Sequence, residues 1–310
     1  MFLVVYHDLA SRPARSYKNA VSQIEEEGIK NKLIDDDIKS KLVNDLFYID
    51  IQFDRSIFYL DNLKDRSSDI YHRNKYSVEC INDKHIFYHF DSYGRMHTNF
   101  TILKAFIRKN CLLIDGEETV EIDIPNSQPL FLVKLMEDSN WIDRSELLLF
   151  KELTTKGIYY DWVSDKWGVG NKKQIKELNY KVLFGRNQTN SKADKLFKST
   201  FPTIHNFIKL YKKENNNNYK VLAYALQKAE SNLIFNKIIK KVKLKYPHIK
   251  IVSIHDSIII PKKYHNEVNE IFKNDVTHLK GKFRIPNDGE VKILKVDTIR
   301  KTLKLDFINA

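Results

Sequence analysis

The stretch Ile251-Val-Ser-Ile-His-Asp-Ser-Ile-Ile-Ile-Pro261 constrains this chain more than any other, because two short β-branched apolar runs are separated only by His255, Asp256 and Ser257. Each run is too short for a helix, so the spacing predicts a tight hairpin or bent strand with Asp256 at its tip. A carboxylate held between core strands is rigid and costly to desolvate. Buried alone it costs several kcal/mol, or its pKa rises until it is neutral; a cation partner, a metal ion or a basic ligand, is therefore implied.

A second stretch, Val120-Glu-Ile-Asp-Ile-Pro-Asn-Ser-Gln-Pro129, repeats the design. The alternation of Val120, Ile122 and Ile124 marks a strand and sends Glu121 and Asp123 to its opposite face. An apolar helix-like run, Leu130 to Met136, follows. Two strand-borne aspartates, Asp123 and Asp256, can thus meet on one sheet and share divalent cations. In two-metal phosphoryl transfer such a pair holds ions about 3.5–4 Å apart, one activating the attacking oxygen and one stabilising the leaving group.

With 310 residues, 42% hydrophobic and 30% charged, the composition is that of a soluble globular protein of one large domain or two ordinary ones. Fifty-two Lys and Arg against 40 Asp and Glu give a formal charge of +12. Such a balance favours a polyanionic partner, although a Lys- and Asn-rich composition inherited from an AT-rich genome also produces it. Cys80 and Cys111 stand far apart with no Cys or His at ligand spacing, which excludes a zinc motif and a disulfide framework and fits a reducing cytoplasm. The apolar run Met1 to Tyr6 is cut off by His7 and Asp8, so it reads as a strand rather than a signal peptide. No stretch approaches the ~20 apolar residues of a membrane span.

Helical spacing is expected over residues 16–27, 37–47 and 55–64, making residues 1–80 a mainly helical subdomain with Asp65 to Asp69 as its polar exit. An aromatic strand from Ile86 runs into a Gly94-Arg95 turn, where Arg95 suits a phosphate or a nearby carboxylate. Residues 98–109 and 130–154 read as helical, and 155–170, rich in Tyr, Trp and Gly, as a loop with some strand character. In the helix 171–184, Lys172, Lys176, Tyr180 and Phe184 recur every four residues, two cations and then two rings along one face. That face suits a nucleotide, ammonium groups on phosphates and a ring on base or sugar; taken without the aspartate strands it reads sooner as a solvated Lys face whose rings tuck into the core. Gly185 ends this helix, and basic helices follow at 191–199 and 203–213. A long helix over 219–245, with Gln227, Glu230 and Ser231 on its polar stripe, feeds the Asp256 hairpin. A helix over 264–272 and a strand over 291–296 complete an α+β chain without internal repeats.

In this order the blocks over residues 86–297 resemble the palm and fingers of family A nucleic-acid polymerases, the group of bacterial DNA polymerase I and, more distantly, the single-subunit phage RNA polymerases. Gly94-Arg95 is similar to the segment preceding the palm, Val120 to Gln128 to motif A, Lys172 to Gly185 to the motif B helix, Leu226 to Glu230 to the Gln-bearing helix, and Ile254-His-Asp-Ser257 to motif C. The resemblance implies a polymerase right hand: an antiparallel-sheet palm over 81–310, helical fingers inserted at about 140–215, and a reduced thumb-like region at 1–80.

It also implies a mechanism. Asp123 and Asp256, with the carbonyl of Ile124, would bind two Mg²⁺ ions, which Mn²⁺ can replace. Lys176 would meet the α-phosphate and protonate the pyrophosphate leaving group, and Lys172 would meet the outer phosphates. Tyr180, Gln128 and Phe184 would lie against the nucleotide, and Arg95, Gln227 and His255 against primer or template. The chain departs from the DNA polymerases in carrying Ser257 after the motif C Asp, as the phage RNA polymerases do. Gln128 and Phe184 stand where those enzymes have Glu and Tyr, Lys172 replaces Arg and Lys181 replaces Gly. With fewer than 100 residues before Gly94, no proofreading exonuclease is expected, and poor processivity unless a replication partner clamps the template.

The expected activity is a minimal template-dependent DNA polymerase of plasmid, phage or mobile-element type, acting on a DNA primer-template and nucleoside triphosphates. An RNA-synthesising or primase-like enzyme, with an RNA template or primer, is the alternative on the same fold. The rival class is a basic nucleic-acid-binding replication or defence protein with an inactive polymerase-like fold.

Overall fold

The computed structural model describes residues 37–62, 69–138, 144–187, 191–214 and 218–278. The expected opening strand, the helix over 16–27, the strand over 291–296 and all of the Asp65 to Asp69 exit but Asp69 itself lie outside them.

Helix α1 (Asp37–Asp45) leads through a 3₁₀ turn to strand β1 (Ile49–Ile51), then α2 (Phe53–Asp61) and α3 (Asp69–Asn82). A hairpin of β2 (Tyr88–Phe90) and β3 (Met96–Thr98) precedes the short helices α4 (Asn99–Ile102) and α5 (Ala105–Cys111). Strands β4 (Leu112–Ile114) and β5 (Glu117–Asp123) are joined by Asp115 and Gly116, both at positive φ, the two-residue turn whose twist matches a hairpin.

A helical lobe follows: α6 (Ser127–Asp138), α7 (Arg144–Thr155), α8 (Tyr159–Trp167), α9 (Lys172–Phe184), α10 (Lys192–Thr200) and α11 (Pro202–Glu214). Successive helices of this lobe pack on one another, and α12 (Val221–Leu233) returns to lie against α6, α9 and α11. After α12, a π-helical stretch Ile234–Ile239 and α13 (Lys240–Lys245) continue the rod into β6 (Val252–Ile254), β7 (Ser257–Pro261) and α14 (His265–His278).

The fold is therefore α+β, with an antiparallel five-stranded sheet in the order β1-β4-β5-β7-β6 among the described residues. Its neighbouring strands β5 and β7 come from the two stretches singled out in the sequence, one by alternation and the other by its β-branched runs. β5 pairs with β7 from Thr119 opposite Pro261 to Asp123 opposite Ser257, and β7 pairs back with β6. Burial explains the pairing: Ile258, Ile259 and Ile260 are essentially inaccessible, so both faces of β7 are covered.

Residues 37–82 share this sheet. β1 is its edge, paired with β4, and Asp45 at the end of α1 binds the ammonium of Lys243 and the Ile251 N–H (2.9 Å). Lys84 reaches back to the Ile49 carbonyl (2.7 Å) and the Asp50 carboxylate (2.6 Å).

The stretch 155–170, expected as a loop, is instead largely helix α8. Tyr159, Tyr160 and Val163 are buried on its inner face, and left-handed glycines, Gly157 and Gly168, bracket it. Those glycines delimit the helix rather than break it. Gly185 ends α9 for another reason than the expected left-handed cap: its φ is −79°, and a Cβ there would lie 2.3 Å from the Lys181 carbonyl oxygen.

Candidate active site

The site is assembled where β5, the β6–β7 turn, α6 and α12 converge. Ile124 just past β5 donates its N–H to the Asp256 carbonyl (3.1 Å), locking the end of β5 to the turn that carries Asp256. With Asp123 opposite Ser257, the two aspartates expected to meet are brought near one another, Asp123 at the end of β5 and Asp256 in the turn directly before β7. Asp123 is exposed and Ile124 buried, the alternation read from sequence.

Asp256 sits beside His255, a non-glycine residue at φ 51°, a left-handed conformation that costs roughly 1–2 kcal/mol. Burial raises the Asp256 carboxyl above its ordinary value, a hydrogen bond from Ser127 opposes the rise, and the Asp123 charge adds to it. Ser127 is in place because Asn126, also at positive φ, turns the chain from β5 directly into α6. The imidazole of His255 meets that of His97 edge-on at 5.6 Å; burial chiefly, then Arg95, His97 and Arg108, lowers its pKa to about 4. Ser257 donates its hydroxyl to Glu121 (2.8 Å), which also faces Arg108 at 3.4 Å.

A second group of side chains locks three elements together. In the β2–β3 hairpin, Asp91 accepts from the Tyr93 and Arg95 N–H groups, both at 2.9 Å, and Gly94 turns at φ 85° directly over Ser231 of α12. Arg95 is thereby aimed at Glu230 and donates from Nε (2.9 Å) and Nη2 (2.6 Å) to its Oε1. Gln128 of α6 donates to the other oxygen of Glu230 at 2.6 Å, and both Gln128 and Glu230 are buried. Burial chiefly, and Asp256 in addition, push the Glu230 carboxyl up to about 7 against the pull of Arg95.

Helix α9 closes the group from the lobe. Asn171 caps it by accepting from the N–H groups of Lys173 (2.9 Å) and Gln174 (3.3 Å). Tyr180 hydrogen-bonds Tyr160 of α8; burial raises both phenols, and Asp256 contributes to each shift. Lys176 lies over the Tyr160 ring, 5.4 Å from its centroid. Phe184 packs beside Tyr180 at 5.2 Å. Lys172, one turn nearer the start of α9, pairs with exposed Asp161 at 2.9 Å instead.

Asp123, Asp256, Ile124, His255, Arg95, Gln128 and Tyr180 are thus linked by hydrogen bonds, pairing or charge, and Lys176 joins them through Tyr160. Gln227 is half-buried on α12, one turn before Glu230. Sequence reasoning placed Glu230 on a polar stripe and Glu121 on one strand face with Asp123 without assigning either a part, and it did not find Ser127 or Tyr160. For Glu230 the available signal was a carboxylate in line with the apolar positions Leu226, Leu233 and Ile234 of its helix; for Tyr160 there was none, since its stretch was expected to be loop.

No protein-family model matches this chain, and no curated protein matches it. Among the described residues, no helix is long and apolar enough to cross a membrane.

Proposed function

We propose that this chain is a template-dependent DNA polymerase that extends a primer 3′ end by two-metal phosphoryl transfer. The observation that carries the reading is the register of β5 on β7, with Asp123 opposite Ser257 and half-buried Asp256 in the turn directly before Ser257. An exposed carboxylate beside a half-buried one that it destabilises is a donor set that a hard divalent cation relieves.

The donor set fits Mg²⁺, which binds through one or two carboxylates plus phosphates and retains several waters. Among the described residues no group of three or more His, Cys, Asp or Glu is placed to hold a metal ion, so the Ile124 carbonyl, water and substrate phosphate would complete the shell around Asp123 and Asp256. When bound, such ions supply charge neutralisation at the attacking and leaving oxygens. This chain's own residues do the positioning. Lys176, on the side of α9 that turns toward Tyr160, supplies a cation for the triphosphate and a proton for pyrophosphate. Tyr180 offers a ring edge beside Asp256, and Arg95, fixed by Glu230, stiffens the floor under the primer end.

A second reading, an RNA-synthesising or primase-like enzyme, is favoured by one detail. The amide of Gln128 is turned to Glu230 and Ser257 gives its hydroxyl to Glu121, so neither position presents a free carboxylate to the nucleotide. Extension of a labelled primer on DNA and RNA templates, with dNTPs or rNTPs and Mg²⁺ or Mn²⁺, tests both: activity that Asp123→Asn and Asp256→Asn abolish supports the polymerase, and the favoured triphosphate chooses between the readings.

A further inference from the structure

The cationic charge of this chain is concentrated. Residues 172–213 hold eleven Lys and Arg against two acidic residues, Glu177 and Asp194, a net +9 of the chain's +12. Within them a cavity of about 240 Å³ opens between α9, α10 and α11, lined among others by Lys181, Arg186, Asn187, Asp194, His205 and Lys209. It lies on a different side of α9 from the proposed catalytic groups, because Lys181 and Gly185 are rotated ~100° from Tyr180 and Phe184.

The one acidic lining group is already neutralised. Asp194 is buried, contacts His205 Nε2 at 2.8 Å and pairs with Lys209 at 3.3 Å. Lys181 and Arg186 are exposed at the rim, and the Arg186 guanidinium lies 5.6 Å from the Tyr219 ring centroid. Beneath them Lys212 is buried and donates to the carbonyls of Val182 (2.7 Å) and Gly185 (2.8 Å); burial first, and Lys209 second, hold its pKa down to about 8. A cavity with one consumed carboxylate and an excess of cations is built for an anion. On α10 the exposed Lys192, Lys195 and Lys198 recur every three residues, ~4.5 Å of rise each, and carry the positive surface beyond the cavity in a line.

We infer that this cavity seats a backbone phosphate of a single-stranded nucleic acid, which then follows the α10 lysines: a strand-binding site separate from the Asp123–Asp256 centre. The inference rests on the reading of the chain as an enzyme acting on polynucleotides, and it names where that enzyme grips unpaired strand. A line of charges suits a flexible polyanion, whereas a lone nucleotide has no use for the three lysines outside the cavity.

The test is fluorescence anisotropy of a labelled oligothymidylate against the full chain, titrated at several salt concentrations. Lys181→Glu/Arg186→Glu is compared with wild type and with Lys240→Glu/Lys273→Glu, a charge-matched change at exposed sites elsewhere. Thermal melts verify folding, and Lys181→Ala/Arg186→Ala serves as the milder pair. The expected result is a loss of about tenfold or more in affinity, with the slope of log K against log salt shallower by about 1.4, about 0.7 for each lost phosphate contact. The control pair should change affinity less than about threefold. Equal weakening by both pairs, or by neither, overturns the site. Equally tight binding of a mononucleotide, or displacement of the oligonucleotide by millimolar inorganic phosphate, makes it a small-anion site and overturns the strand assignment. If rim-sensitive strand binding stands while no primer is extended, this inference survives and the polymerase reading fails.

Discussion

A carboxylate retained for chemistry should cost the fold something, and Asp256→Asn measures that cost. Carboxylates on neighbouring strands lie roughly 5–8 Å apart, and at an effective dielectric near 20 their repulsion is about 2–3 kcal/mol. Asp123 is exposed, so water screens most of this and about 1 kcal/mol remains. Asparagine keeps an acceptor for Ser127 and removes the charge. Because burial and Asp123 raise the Asp256 carboxyl above its ordinary value of 3.8, its contribution to stability is complete below that value and is lost as pH rises through the folded-state value. Wild type and variant should therefore melt together near pH 4, and the variant should melt higher by about 2–4 °C at pH 7.5. Mg²⁺ at 10 mM should raise the wild-type melting temperature, by about 1.4 kcal/mol of stabilisation for a Kd near 1 mM, and leave the variant unmoved. Scanning calorimetry across pH, with and without Mg²⁺, reads both effects. A variant less stable than wild type at pH 7.5, or a gap that ignores pH, would refute the strained carboxylate pair.

Two further substitutions probe what holds the site. Glu230→Ala strands Arg95 and the Gln128 amide and should cost about 3–5 kcal/mol in urea denaturation, with Arg95→Met/Glu230→Ala recovering more than 1 kcal/mol because the residues are in direct contact. Lys243→Met leaves buried Asp45 without its closest cation and should cost a similar 3–5 kcal/mol, read as a lower midpoint with an unchanged denaturant slope.

How far the site could be read from sequence depended on the range of each interaction. The Asp123 strand and the Asp256 hairpin announce themselves through period-2 alternation and β-branched runs, and their pairing needs only that both bury apolar faces in one core. Helix α9 was legible because Lys172, Lys176, Tyr180 and Phe184 recur every four residues with Gly185 behind them, and the structure adds the Asn171 cap and the buried face of Ile175, Leu178 and Val182. Helix α8 was hidden because glycines at both ends carry the same signal as a loop. Strand β1 is three residues long between helices, and only its partner β4 makes it a strand. The π-helical stretch breaks no local rule; Ile234, Phe235, Ile238 and Ile239 all point inward there, an arrangement set by what they pack against. The Arg95–Glu230 contact spans 135 positions, and no local pattern encodes it.

The most direct measurement of the central claim is single-turnover primer extension by the wild type, Asp123→Asn and Asp256→Asn, with folding of each verified by melting and template binding by anisotropy. The account predicts Mg²⁺-dependent extension by the wild type, at least a thousandfold loss in either variant, and strand binding within about threefold of wild type in both. Extension that survives either substitution would contradict it, as would the absence of wild-type extension under every combination of template, triphosphate and metal ion.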